Sequence, residues 1–158
     1  MYSADKAIRL IRKRWFGLIP QVSGSDSASD TQHAVAVVRI DTIKRCVRVS
    51  LIGKLTFQNI QRYASQLVAD ARFDPQFSEI VDLRLVTEVT LSPNELLKLA
   101  DGVDPFAPTA KRAFVAHSLE HARAASIHRM LRPDNRNIRI VFSLDEAEQW
   151  TKASDFDQ

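Results

Sequence analysis

Residues 79–101, EIVDLRLVTEVTLSPNELLKLAD, constrain the fold more than any other stretch of this chain. An apolar run ends at Asp82-Leu83-Arg84, a connection follows, and Ser92-Pro93-Asn94-Glu95 opens a helix. Ser92 suits the N-cap, Pro93 suits the first helical position through its fixed φ, and Glu95 stands three residues on, where it closes a capping box. A strand, a connection and a capped helix in that order predict an α/β domain whose strand ends face something.

The rest of the chain repeats the theme. Residues 34–40 (AVAVVRI) and 45–51 (RCVRVSL) read as two strands joined by a short turn, hence a hairpin. Thr56 caps a predicted helix in which Phe57, Ile60, Ala64, Leu67, Val68 and Ala71 share one face, with Tyr63 at its margin. Phe73-Asp74-Pro75 breaks that helix, and residues 79–84 form a short third strand. The Ser92 helix runs to about Ala100 and stops at Asp101-Gly102. Residues 111–117 give a fourth strand. Ser118 then caps a helix carrying Leu119, Ala122, Ile127, Met130 and Leu131, which Pro133 ends. Residues 138–142 give a fifth strand, and Ser143 with Glu146 opens a last helix through Leu144, Ala147 and Trp150. Helices between successive strands require right-handed crossovers, so the expected fold is α/β: one five-stranded, mostly parallel sheet with an antiparallel edge strand and four helices.

Two segments stand outside this domain. Residues 1–20 project as a basic amphipathic helix, with Ala4, Ile8, Ile11, Trp15, Leu18 and Ile19 on one arc. Residues 21–33 read as a flexible Ser/Gly/Asp linker, 34–152 as the domain, and 153–158 as a frayed tail. The charge distribution follows the same division. Residues 1–20 hold five basic residues against Asp5, leaving 17 basic and 18 acidic residues in the rest. The basicity is local, and no nucleic-acid-binding face is expected on the domain. Cys46 is the one cysteine, so there is no disulfide framework and a reducing, cytoplasmic setting is expected. No apolar run is long enough to span a bilayer, and the basic N-terminal residues precede no apolar signal core.

With these motifs the domain resembles the SpoIIAA-like branch of the STAS superfamily, the anti-anti-sigma type of fold, over about residues 34–152. The resemblance is carried by LIGKLT (51–56), FDP (73–75), VDLRLVTEVTLSPNELLKLA (81–100), RAFVA (112–116), RML (129–131) and VFSLDEAEQW (141–150). It implies a binding or signalling module of the kind that engages lipids or proteins, and it makes a homodimer an assembly to expect. In phosphorylatable relatives the loop after the central strand reads roughly Asp-Ser-Ser-Gly. The corresponding residues here are Thr90-Leu91-Ser92-Pro93, so only Ser92 of that loop remains.

The candidate binding and regulatory residues lie at the C-terminal rim of the expected sheet, where open α/β folds take their ligands. They are Asp82, Glu88, Thr90, Ser92, His117, Ser118 and His121. Ser92 and Ser118 also serve as helix caps, and Asp82, inside an apolar strand, is expected to bond backbone donors in the following loop. His121 and His128 are seven apart on one helix and share a face. There is no HExxH or CxxC motif and no carboxylate at ligand spacing, so neither a catalytic group nor a metal or other cofactor is expected.

For the N-terminal segment, Arg9, Arg12, Lys13, Arg14, Trp15 and Phe16 suit an anionic membrane surface, packing on the same chain or a second subunit, or a partner's groove. The expected function is a non-enzymatic STAS-like module of a regulatory kind that binds a protein partner or a small apolar ligand. The alternative is a carrier or enzyme for a lipid-like molecule, using an apolar pocket between helices 57–71 and 119–131.

Overall fold

The computed structural model describes residues 35–102, 104–132 and 135–153. The expected N-terminal helix and linker, and the expected tail after Ala153, lie outside these residues. The elements run β1 (Val35–Asp41), β2 (Cys46–Leu55), α1 (Phe57–Ala69), β3 (Ser78–Val89), α2 (Pro93–Asp101), β4 (Arg112–Val115), α3 (Leu119–Met130), a short 3-10 turn (Asn135–Asn137), β5 (Ile138–Val141) and α4 (Leu144–Lys152). The sheet order is β1-β2-β3-β4-β5, with β1 antiparallel and every other pairing parallel. This is the α/β architecture expected from the order of strands and helices.

The helix starts follow from single side chains. Thr56, Ser92, Ser118 and Ser143 each accept a hydrogen bond from the backbone N–H three residues on. At Ser92 the capping box closes, with the Ser92 N–H donating to Glu95 Oε2 at 2.8 Å. At Ser143 the return bond is displaced by one residue: Glu146 Oε2 accepts from Phe142 N at 3.1 Å. Gly102 ends α2 with an extended backbone, φ −68°, so its glycine is not there for a left-handed turn.

The third strand differs from expectation. It does not stop at Arg84 but continues to Val89, pairing Ile52 with Leu85, Gly53 with Val86 and Leu55 with Val89. Three β-branched residues, Val86, Thr87 and Val89, favour the extended state here. β2 lengthens to match by means of an irregularity at Gly53, whose φ of 89° suits glycine.

Strand alternation divides the core in two. Val47, Val49, Leu51, Val81, Leu83, Phe114 and Ile138 pack under α1 and α3 with Tyr63, Leu67 and Ala125. Cys46, Ile80, Ala113, Val115 and Val141 pack on the opposite face against Ala147 and Trp150 of α4. α1, α2 and α3 contact one another in sequence over the first face.

Candidate ligand site

A cavity of about 120 Å³ lies between the sheet and the three helices of the first face. β2 and β3 supply Leu51, Leu55, Val81 and Leu83 to its wall, α1 supplies Ile60 and Tyr63, and α2 supplies Leu96 and Leu99. α3 contributes Ala124, Ala125 and His128. The two alanines are small, which leaves the space that a longer side chain would fill.

The polar end of the cavity comes from residues that open two neighbouring strands. Glu79 and Arg112 are cross-strand partners near the starts of β3 and β4, and both side chains are buried. Arg112 Nε donates to Glu79 Oε2 at 2.6 Å, and Tyr63 Oη donates to Glu79 Oε1 at 2.7 Å. Arg112 Nη1 donates to Asp104 Oδ2 at 2.7 Å. Arg132, just after α3, places Nε 3.3 Å from the same oxygen, without hydrogen-bond alignment, and its Nη2 donates to Leu99 O at 3.2 Å. The Arg112 guanidinium also lies over the Phe106 ring at 4.9 Å and the Phe114 ring at 5.7 Å. Two carboxylates thus face two guanidiniums, and the charges of the network balance.

This environment displaces several titrations. Burial, then the charge of Glu79 and the hydrogen bond to it, push the Tyr63 hydroxyl well above its ordinary range. Burial would raise the Asp104 carboxyl, but Arg112 and Arg132 outweigh it and hold it low. Burial, then the positive charges of Arg112 and Arg132, push His128 down to about 3, so its imidazole is neutral at ordinary pH. The His128 ring lies 5.3 Å from the Phe114 ring, and its Nε2 is buried with no hydrogen-bond partner. A second cavity, of about 230 Å³ and lined by Asp104, Phe106 and Pro108 among others, shares Arg112 and Arg132 with the first.

The residues singled out from the sequence sit elsewhere, in separate local arrangements. Asp82 lies on the α4 side of β3 and accepts from the Arg84 backbone N–H at 3.0 Å and from its Nε and Nη2 at 2.9 Å each. Its partner is therefore in the same strand and not in a following loop. Burial raises the Asp82 carboxyl, and the Arg84 bonds reverse that and leave it low. Glu88 pairs with Lys54 at 3.3 Å on the surface, and Thr90 Oγ1 donates to Leu55 O at 3.1 Å. Ser92 Oγ donates to Glu95 Oε2 at 2.9 Å, so a phosphate at Ser92 would stand against that carboxylate. His117, Ser118 and His121 form one helix start: Ser118 Oγ accepts from His121 N at 3.2 Å, and His121 Nδ1 accepts from His117 N at 3.4 Å.

None of the seven lines the cavity. The polar residues that do, Tyr63, Glu79, Arg112, His128 and Arg132, were not among the candidates. One sequence signal pointed to them: opposite charges, Glu79 and Arg112, open two apolar strands that prove to be neighbours. Among the described residues, no group of three or more His, Cys, Asp or Glu side chains is arranged to hold a metal ion. No helix among them is long and apolar enough to cross a membrane.

An open sheet of this order, with three helices over one face and one over the other, is the SpoIIAA-like fold. A solved structure with that fold, an uncharacterized protein of the DUF3478 family from Shewanella loihica PV-4, superposes with a TM-score of 0.52. The match covers 80% of this chain and 99% of that one at 14% sequence identity, so the likeness is one of fold. No family model matches the sequence, and neither does any curated protein.

Proposed function

We propose that this chain is a non-enzymatic binding module that holds a small apolar ligand in the cavity beneath α1, α2 and α3. The observation that carries this reading is a mostly apolar cavity whose one polar end gathers buried ionisable groups, the usual composition of a ligand site. Scale limits the ligand. An engineered cavity of about 150 Å³ accommodates benzene, so 120 Å³ suits a ring or a short chain of similar bulk. A long lipid chain would require the helices to part. Native mass spectrometry of the full-length protein, purified gently from its own host, tests the reading. Added non-covalent mass on the wild type and none on Ala124→Leu supports it. Bare polypeptide from the wild type, together with no response to added small apolar compounds, contradicts it.

A second reading concerns attachment. Val35, Ile52 and Leu85 are exposed neighbours across β1, β2 and β3, and Val37 is exposed beside them. We propose that the apolar stripe the sequence gives residues 4–19 packs on this row. Aggregation after removal of residues 1–32 supports packing of that stripe on the domain. A truncated domain that stays folded and monomeric but no longer sediments with anionic vesicles assigns the segment to a membrane surface instead.

A further inference from the structure

We infer that α2 is a lid over the cavity, hinged at Leu91 and held shut by Arg132, and that a ligand enters as it lifts. This rests on the reading that the cavity holds a ligand, and it names the way in.

An entrance is needed because no residue of the cavity wall is exposed. Of the three helices over the cavity, α1 is anchored by buried Asn59, Tyr63, Ala64, Leu67 and Val68, and α3 by buried His121 and Ala125. No residue of α2 is buried. Leu91, Leu96 and Leu99 line the cavity but are only half-buried, and Leu97 is exposed. Segments with little buried apolar contact open locally at a fraction of the global unfolding free energy. The contact that Leu96 and Leu99 do make favours the closed position.

The two ends of α2 suit a rigid movement. Ser92 N and Oγ both donate to Glu95 Oε2, and Glu95 N donates to Ser92 Oγ, so the cap is self-contained and travels with the helix. Just before it, Thr90 N and Oγ1 both donate to Leu55 O, at 2.9 and 3.1 Å, which pins the chain to β2. Leu91 stands between the pinned residue and the moving cap. At the far end, among the described residues, one side-chain hydrogen bond joins α2 to the rest of the domain: Arg132 Nη2 donates to Leu99 O at 3.2 Å. Leu99 lies in the last turn of α2, where carbonyls lack partners within the helix and a cation is favoured. Arg132 Nε is also 3.3 Å from Asp104 Oδ2, so this side chain ties the lid to the buried charges around Arg112.

Native-state hydrogen exchange of the full-length protein without ligand, read by NMR in low concentrations of urea, tests the lid. Amides of residues 97–101 are expected to exchange at least about tenfold faster than those of residues 63–68 and 147–150. Their rates should depend little on urea, because lifting α2 exposes little surface. Arg132→Met keeps the side-chain stem, breaks the bond to Leu99 and should speed exchange at residues 97–101 about tenfold. Equal rates and an equal urea dependence in all three helices overturn the lid, since α2 then opens only by global unfolding. No acceleration by Arg132→Met overturns the latch. The wild-type comparison decides the lid even if the variant does not fold. Exchange is read without ligand, so its failure is distinct from failure of the mass-spectrometric test of the cavity.

Discussion

Glu79 and Ile80 are adjacent in sequence, as are Arg112 and Ala113, yet alternation along the strands sends each pair to opposite faces of the sheet. Ile80 and Ala113 meet α4, where Ala147 is fully buried and the Arg139 guanidinium lies 3.9 Å from the Trp150 ring centre. That face is closed by apolar contact and a cation–π lid. Glu79 and Arg112 meet α1 and α3 instead, where a charged network and a cavity occupy what could have been solid core. Well-packed apolar residues in place of buried ion pairs are often as stable or more so. Stability alone therefore does not explain the first face. Sequences depart from the most stable solution chiefly at functional sites, and the fully buried Glu79–Arg112 pair is a departure of that kind on the first face.

The largest test of this contrast is Arg112→Leu. It removes the guanidinium that Glu79 and Asp104 share, leaving buried Glu79 without a counter-charge in contact, and should lower unfolding free energy by about 3–5 kcal/mol in urea titrations. A loss under about 1 kcal/mol would mean that the network is not held as described.

The second test is pH. The unfolded imidazole of His128 takes up its proton near its ordinary pKa of about 6.5, and the folded one only near 3. Between these values the unfolded chain binds the extra proton. The contribution is therefore fully present above about pH 6.5 and falls as pH drops towards 3, by roughly 2 kcal/mol between pH 6.5 and pH 4.5. His128→Phe should flatten that part of the stability–pH curve. An unchanged slope would show that His128 is not buried as a neutral ring.

Packing gives the third test. Ala147→Leu overfills the closed face and should cost about 1–3 kcal/mol, whereas Ala124→Leu grows into the cavity and should cost less. Equal losses in thermal melts would erase the distinction between the faces. The smallest effect belongs to Arg84→Ala on the α4 side, where the Arg84 side chain is 42% exposed. Loss of its partly exposed pair with Asp82 should change stability least of these substitutions, and a loss rivalling that of Arg112→Leu would put the important charges on the wrong face.

The architecture was largely legible because its signals are local. Thr56, Ser92, Ser118 and Ser143 announce their helices within four residues, and each strand is a short apolar run between such caps. The extension of β3 beyond Arg84 was not, because Asp82 and Arg84 interrupt the apolar run and resemble its end. The Asp82 carboxylate folds onto Arg84 within the strand, which removes the reason to stop there. Of the cavity's polar end very little could be read. Tyr63 sits at the edge of a helical stripe, Asp104 in a loop and Arg132 past the end of α3, and they converge only when strands 33 residues apart in sequence pair at Glu79 and Arg112. Helix caps drew attention to the C-terminal rim, where the serines and histidines mostly secure one another.

The most direct test is a benzene titration of the 15N-labelled full-length protein, followed by backbone amide shifts. The account predicts saturable shifts concentrated at Tyr63, Leu83, Ala125 and His128, with Ile80, Ala113 and Trp150 unmoved. Shifts centred on Trp150 and α4, on Ser92 and His117, or nowhere would contradict it.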